Sequence, residues 1–187
     1  SYLDGSGKFA YQLNVPARQD ELAVDYFAGN IREYKSSVER YFQISIKDVE
    51  ERAWLVNERN RALAEVYKEI ESLSFSGFLG RIHELLKKPL REQTIPAQWK
   101  EKKPIGKRVF VAGSFLSNLH VADAIEHAGM TIVGDNLTES GRLVTMEETG
   151  RGGDIYKNIA RSILRNRLSP TQDNFRAVIN RDLEYIA

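Results

Sequence analysis

Five residues stand where two short apolar runs give way to small and polar side chains, and their types suit an anionic or carbonyl-bearing ligand. They are Gly113 and Ser114, Asp135 and Asn136, and Arg142. Glycine lets a ligand approach the backbone, and Ser114 offers a hydroxyl, although Gly-Ser is equally an ordinary turn. Asp135 can orient a substrate or cap the turn that follows it. Arg142, next to Gly141, can hold a carboxylate or phosphate through two parallel hydrogen bonds, or can pair with Glu139, Glu147 or Glu148. The run Gly150-Arg151-Gly152-Gly153 could cradle a phosphate with backbone amides or form a simple turn; it matches neither a P-loop nor a dinucleotide fingerprint.

Other chemistries find little support. The histidines, His83, His120 and His127, lack the mutual spacing of a metal site and read as surface or helix-face residues. Ser114 and His120 fix no triad geometry, so no residue is assigned a catalytic role. The chain has no cysteine, which removes disulfides, thiolate nucleophiles, cysteine-ligated zinc and a cysteine-held iron–sulfur cluster. No metal site is expected.

A net charge of +1 argues against general nucleic-acid binding. Residues 87–108 nevertheless carry Lys87, Lys88, Arg91, Lys100, Lys102, Lys103, Lys107 and Arg108 against only Glu92 and Glu101. This stretch could meet the phosphates of coenzyme A or form a solvated linker. Apolar runs such as 109–112 are far too short to span a bilayer, and no export signal precedes them, so a cytoplasmic location and no membrane role are expected.

The elements that must position the five residues follow from periodicity. After a lead-in over 1–18, Asp20 can cap a helix reaching about Phe42, with Leu22, Phe27, Ile31, Tyr34, Val38 and Tyr41 on one face. Ser45 as N-cap with Asp48 inside the first turn starts a second helix, whose stripe is Val49, Ala53, Val56, Leu63, Val66 and Ile70. Asn57 and Asn60 fall in that stripe and need hydrogen-bond partners there. A short helix over 78–88 follows Ser76-Gly77 and closes a helical subdomain over 19–90, and a linker over 91–107 contains Pro96 and Pro104.

Residues 108–114 then read as a buried parallel strand, 119–127 as a helix stopped by Gly129, and 131–134 as a second strand, which together make a βαβ unit. Helices are expected over 155–167 and, capped by Asp173 after Ser169-Pro170, over 174–187. The fold class is α/β: a helical N-terminal half followed by a partial parallel-sheet, Rossmann-like half over 108–187. A further strand is expected after the last helix, which suggests a piece of a longer protein. Open parallel sheets bind ligands beyond the carboxyl ends of their strands, so the Gly113-Ser114 and Asp135-Asn136 positions should be neighbours.

The succession of segments resembles a known family. Tyr11 to Arg18, the helix from Asp20, and residues 46–70 with Asn57-Glu58-Arg59-Asn60-Arg61 look like the middle of 2-hydroxyacyl-CoA dehydratase and benzoyl-CoA reductase subunits. Residues 108–114, Ala124-Ile125-Glu126-His127-Ala128-Gly129 and 131–142 continue the likeness in order. The resemblance implies a [4Fe-4S] cluster held by cysteines of flanking portions, an acyl-CoA substrate, a second dehydratase subunit and an ATP-dependent activator protein. In that chemistry an electron passed to the cluster converts the acyl-CoA to a ketyl radical anion. The radical then expels a β-positioned leaving group or takes a proton at an aromatic ring. Gly113, Ser114, Asp135, Asn136 and Arg142 are the expected substrate contacts.

Two departures stand out. The family often reads Asp-Asp-Leu-Cys-Thr-Gly where this chain has Asp135-Asn136-Leu137-Thr138-Glu139-Ser140-Gly141, and Cys-Pro where Ser169-Pro170 stands. The alternative to a dehydratase fragment is a non-catalytic α/β interaction module, or one that binds coenzyme A or a nucleotide without redox chemistry.

Overall fold

A computed structural model describes residues 2–3, 9–92, 106–113, 120–137, 140–144 and 148–165. The expected linker prolines Pro96 and Pro104, Ser114, Ser169-Pro170 and the expected helix over 174–187 lie outside the described residues. The chain divides into two compact units: Ser1–Trp54 with Glu147–Asp173, and Leu55–Met146 with Asn174–Ala187.

In the first unit, strands β1 (Tyr2–Leu3) and β2 (Phe9–Ala10) pair antiparallel. Helix α1 spans Glu21–Phe42 and starts, as its sequence predicts, at Asp20, whose carboxylate accepts the Ala23 amide at 2.9 Å. It ends where Gln43 turns left-handed at φ 53°. The core face of α1 is rotated from the expected stripe: Ala23, Val24, Phe27 and Ala28 are buried, with Ile31 beside them, whereas Leu22 is 77% exposed. Tyr34 and Tyr41 turn instead toward Phe9, at centroid distances of 6.4 and 5.1 Å.

The partner of that buried face is α6 (Ile155–Arg165), through Tyr156, Ala160, Ile163 and Leu164. Small Ala28 and Ala160 let the helices approach closely around Phe27. Ion pairs flank the seam: Glu21 with Arg161 at 2.8 Å, Asp25 with Lys157 at 2.5 Å, and Arg32 with Asp154. Positions rise along α1 as they fall along α6, so the two helices run antiparallel. Exposed pairs of this kind add little stability each, and the apolar seam carries the packing.

The second unit contains most of helix α2 (Val49–Tyr67), a 3-10 turn at Ile70–Ser72, helix α3 (Phe75–Lys87), strand β3 (Arg108–Ala112), helix α4 (His120–His127), strand β4 (Thr131–Asn136) and the short helix α5 (Gly141–Val144). Helix α2 starts later than its expected cap, because Asp48 is left-handed at φ 57° and Ser45 lies in the preceding loop. Helix α3 starts earlier than expected. Ser74 caps it by accepting the Gly77 amide at 3.2 Å, so Ser76-Gly77 forms the first turn and does not interrupt the helix. Glu126 of α4 accepts the Phe75 amide at 3.0 Å and joins α4 to the same helix end.

The core of this unit is continuous across the expected subdomain and sheet halves: Leu63, Val66, Ile70, Phe75, Phe78, Leu79, Ile82 and Leu85 pack with Ala122, Ile132 and Leu137. Strands β3 and β4 are parallel, as the βαβ reading requires. Val109 pairs with Ile132 but Phe110 with Gly134, leaving Val133 as a bulge. Gly134 suits this point, because a Cβ would lie 3.0 Å from the Phe110 ring and the ring would have to shift.

Candidate functional site

The register of β3 and β4 decides what stands together. Val111 lies opposite Asp135 and Ala112 opposite Asn136, so Gly113 leaves β3 at the end where β4 finishes. A Cβ on Gly113 would come within an ordinary 3.6 Å of the Leu137 side chain, so the two strand ends lie side by side. Gly113 is exposed and Asn136 half-buried. Of the five expected site residues, these two and Asp135 share the carboxyl end of the sheet. Ser114 lies outside the described residues; the Arg142 backbone is the second residue of α5, and its side chain lies outside them too.

Strand β4 continues through Asp135 and Asn136, which the sequence placed in a loop. The Asp135 side chain is 4% exposed and turned inward. Its Oδ1 accepts the Ser140 hydroxyl at 2.6 Å and the amides of Leu137 and Gly141 at 2.9 Å each. The carboxyl therefore ties β4 to the start of α5 across the intervening turn, close to the capping role that the sequence allowed. Gly141 is the tight point of this turn, since any Cβ there would collide with the Asp135 carbonyl oxygen.

Two constraints were not legible in the sequence. The Tyr67 hydroxyl of α2 accepts the Asp135 N–H at 2.8 Å and donates to its carbonyl at 3.1 Å, so a side chain satisfies backbone groups on the edge of β4. Ser140 is fully buried and donates to Asp135. Only the helical phase of Tyr67, next to Leu63, Val66 and Ile70, hinted that it faces the core.

Burial pushes the Asp135 carboxyl above the ordinary aspartate range, only partly offset by the Ser140 hydroxyl, the Leu137 and Gly141 amides and the Tyr67 hydroxyl. Its Oδ2 is buried with no hydrogen-bond partner among the described residues. Asp154 behaves oppositely: burial acts upward, but hydrogen bonds from Arg32 and the Tyr156 and Lys157 amides lower it overall.

The glycine-rich run closes on itself. Asn158 donates to the carbonyls of Gly150 and Gly152 at 3.0 and 2.7 Å, and Gly152 and Gly153 take φ of 76° and 69°. Asp154 places its carboxylate at the first turn of α6, accepting the Tyr156 amide at 3.0 Å, and this charge opposes an incoming phosphate. Arg151 stacks over the Trp54 ring at 4.8 Å. His83, His120 and His127 are all exposed, as expected of surface residues.

The iron–sulfur cluster implied by the resemblance needs thiolates, and the donor set of this chain does not fit it. There is no cysteine, and no group of three or more His, Asp or Glu is placed for a metal among the described residues. No helix among the described residues is long and apolar enough to cross a membrane.

A search of curated proteins finds no match to the chain. A family model described as "2-hydroxyglutaryl-CoA dehydratase, D-component" matches residues 2–185, and a component so described implies partnership with other dehydratase subunits. With nearly every residue inside that match, the chain belongs to the 2-hydroxyglutaryl-CoA dehydratase D-component family.

Proposed function

We propose that this chain serves a 2-hydroxyacyl-CoA dehydratase, or a benzoyl-CoA reductase-like enzyme, by supplying substrate-lobe and subunit contacts at the carboxyl ends of β3 and β4. Its ligand is an acyl-CoA, and its partners are a second dehydratase subunit and an ATP-dependent activator protein. The observation that carries this reading is the adjacency of Gly113 and Asn136 at one sheet end, the position where open parallel sheets receive ligands.

Each residue has a distinct part. Gly113 leaves the backbone approachable, and the Asn136 amide offers a donor and an acceptor to a thioester or its acyl chain. Ser114 adds a hydroxyl, and Arg142 a guanidinium suited to a carboxylate or phosphate. Asp135 serves the site through the turn it shapes. Any reducing cluster of the assembly is then anchored by other polypeptide, because these residues offer no thiolate.

The lack of cysteine also favours a second reading, a coenzyme A-binding module with no redox partner. Calorimetric titration with acetyl-CoA and with free coenzyme A tests what both readings share. Saturable binding of acetyl-CoA, weakened about tenfold or more by Asn136→Ala, is expected. Absence of binding, or binding indifferent to Asn136, overturns the reading. Co-purification with a cluster-bearing subunit separates the first reading from the second.

A further inference from the structure

The two oxygens of the Asp135 carboxyl live in different surroundings. Three donors, the Ser140 hydroxyl and the Leu137 and Gly141 amides, converge on Oδ1. Oδ2 is buried and meets no hydrogen-bond partner among the described residues. A carboxylate spreads its charge over both oxygens, and a bare charged oxygen away from water is strongly disfavoured. A proton on Oδ2 removes that charge and leaves Oδ1 as a carbonyl-type acceptor for the turn. We propose that Asp135 is a positioning residue, a neutral carboxylic acid with its proton on Oδ2, whose Oδ1 holds Leu137, Ser140 and Gly141 together and so fixes the end of β4 that presents the strand-end site.

The value of this turn to a ligand rests on the acyl-CoA reading above; the protonation state does not. Burial acts on Asp135 in the required direction and outweighs the donors at Oδ1. The backbone is held independently, by Tyr67 on one side and by the close approach of Gly141 on the other. The carboxyl therefore has little room to turn toward water.

The Tyr67 hydroxyl of α2 meets the Asp135 backbone and also acts downward on its carboxyl, while Glu71 of the 3-10 turn pairs with Arg108 of β3 at 3.0 Å. On α4, Glu126 accepts the Phe75 amide, His127 contacts the Asp123 carbonyl at 2.6 Å, and His120 lies 3.8 Å from the Asp123 carboxylate. Arg142 belongs to α5, and its replacement is a control. Ionisation of Asp135 as pH rises through its raised value places an uncompensated charge at the end of β4, loosening Asn136 and with it the site.

The test follows the Asp135 carboxyl carbon by 13C NMR against pH in the full chain, assigned by its loss in Asp135→Asn. A midpoint above the ordinary aspartate value of about 3.9 is expected. Ser140→Ala should raise it further, because a donor favouring the charged form is gone, and Arg142→Gln should leave it in place. A midpoint at or below the ordinary value, a downward move in Ser140→Ala, or a rise in Arg142→Gln would overturn the proposal. Acetyl-CoA affinity gives the functional readout: Asp135→Asn should stay within about threefold of the parent and lose the parent's decline with rising pH, whereas Asp135→Ala should fall about tenfold or more. Asp135→Asn binding as poorly as Asp135→Ala would contradict positioning by a neutral acid. If the parent binds no acetyl-CoA, the acyl-CoA reading fails, and the titration alone decides the state of Asp135.

Discussion

The Tyr67 hydroxyl brackets the backbone of Asp135, accepting its N–H at 2.8 Å and donating to its carbonyl at 3.1 Å. A helix residue thereby does for one position of β4 what a neighbouring strand does in a wider sheet. Tyr67→Phe keeps the ring, which meets Phe78 edge-on at 5.6 Å, and deletes only the hydroxyl. Leaving both backbone groups without their partner should cost about 1–3 kcal/mol in chemical denaturation. A variant as stable as the parent would show that water replaces the hydroxyl without loss.

The glycines at the strand ends should rank by the space around them. Gly141→Ala forces a Cβ into the Asp135 carbonyl and should be the most damaging, with a loss of about 1–3 kcal/mol or more from backbone displacement. Gly134→Ala, 3.0 Å from the Phe110 ring, should cost less, because an aromatic ring can shift. Gly113→Ala meets Leu137 at an ordinary 3.6 Å and should be close to neutral for stability, so any effect on binding reports the site itself. Thermal unfolding of the three variants checks the order.

The α1–α6 seam sets a contrast between neighbours in sequence. Phe27 is fully buried between the two helices, and Phe27→Ala should cost about 3–5 kcal/mol. Leu22, though equally apolar, is 77% exposed, and Leu22→Ser should fall within about 0.5 kcal/mol of the parent. Equal losses at the two positions, measured by denaturant unfolding, would contradict the assigned face.

Acidity should act in opposite senses on the two units. The Asp135 carboxyl is raised by burial, so the folded state binds its proton more tightly than the unfolded chain does. Its contribution is full below the unfolded value, near 3.9, and is lost as pH rises through the folded one. Glu21, lowered mainly by its hydrogen bond from Arg161, contributes above the unfolded value and loses that contribution as pH falls. Stability profiles of Asp135→Asn and Glu21→Gln against pH should each flatten the parent curve, the first where pH rises through the raised Asp135 value and the second where pH falls through the lowered Glu21 value.

The order of elements was legible because it rests on local signals. Asp20 caps α1, Gly129 at φ 75° follows α4, and the β-branched runs at 108–112 and 131–134 are the parallel pair. The adjacency of Gly113 and Asp135 followed from that pairing. What periodicity could not supply was the exact phase of a helix face, as Leu22 shows, since Ala23 and Ala28 face the core by virtue of small size against α6. Nor could it reveal that Asp135 turns inward, because the groups that hold it come from Ser140, at the start of α5, and from Tyr67 on another helix.

The most direct test is a residue-resolved NMR titration of the 15N-labelled chain with 2-hydroxyglutaryl-CoA. Saturable shifts centred on the amides of Gly113, Asn136 and Leu137, absent in Asn136→Ala, are the predicted result. Saturable shifts confined to residues away from these strand ends, or none at all, would contradict the account.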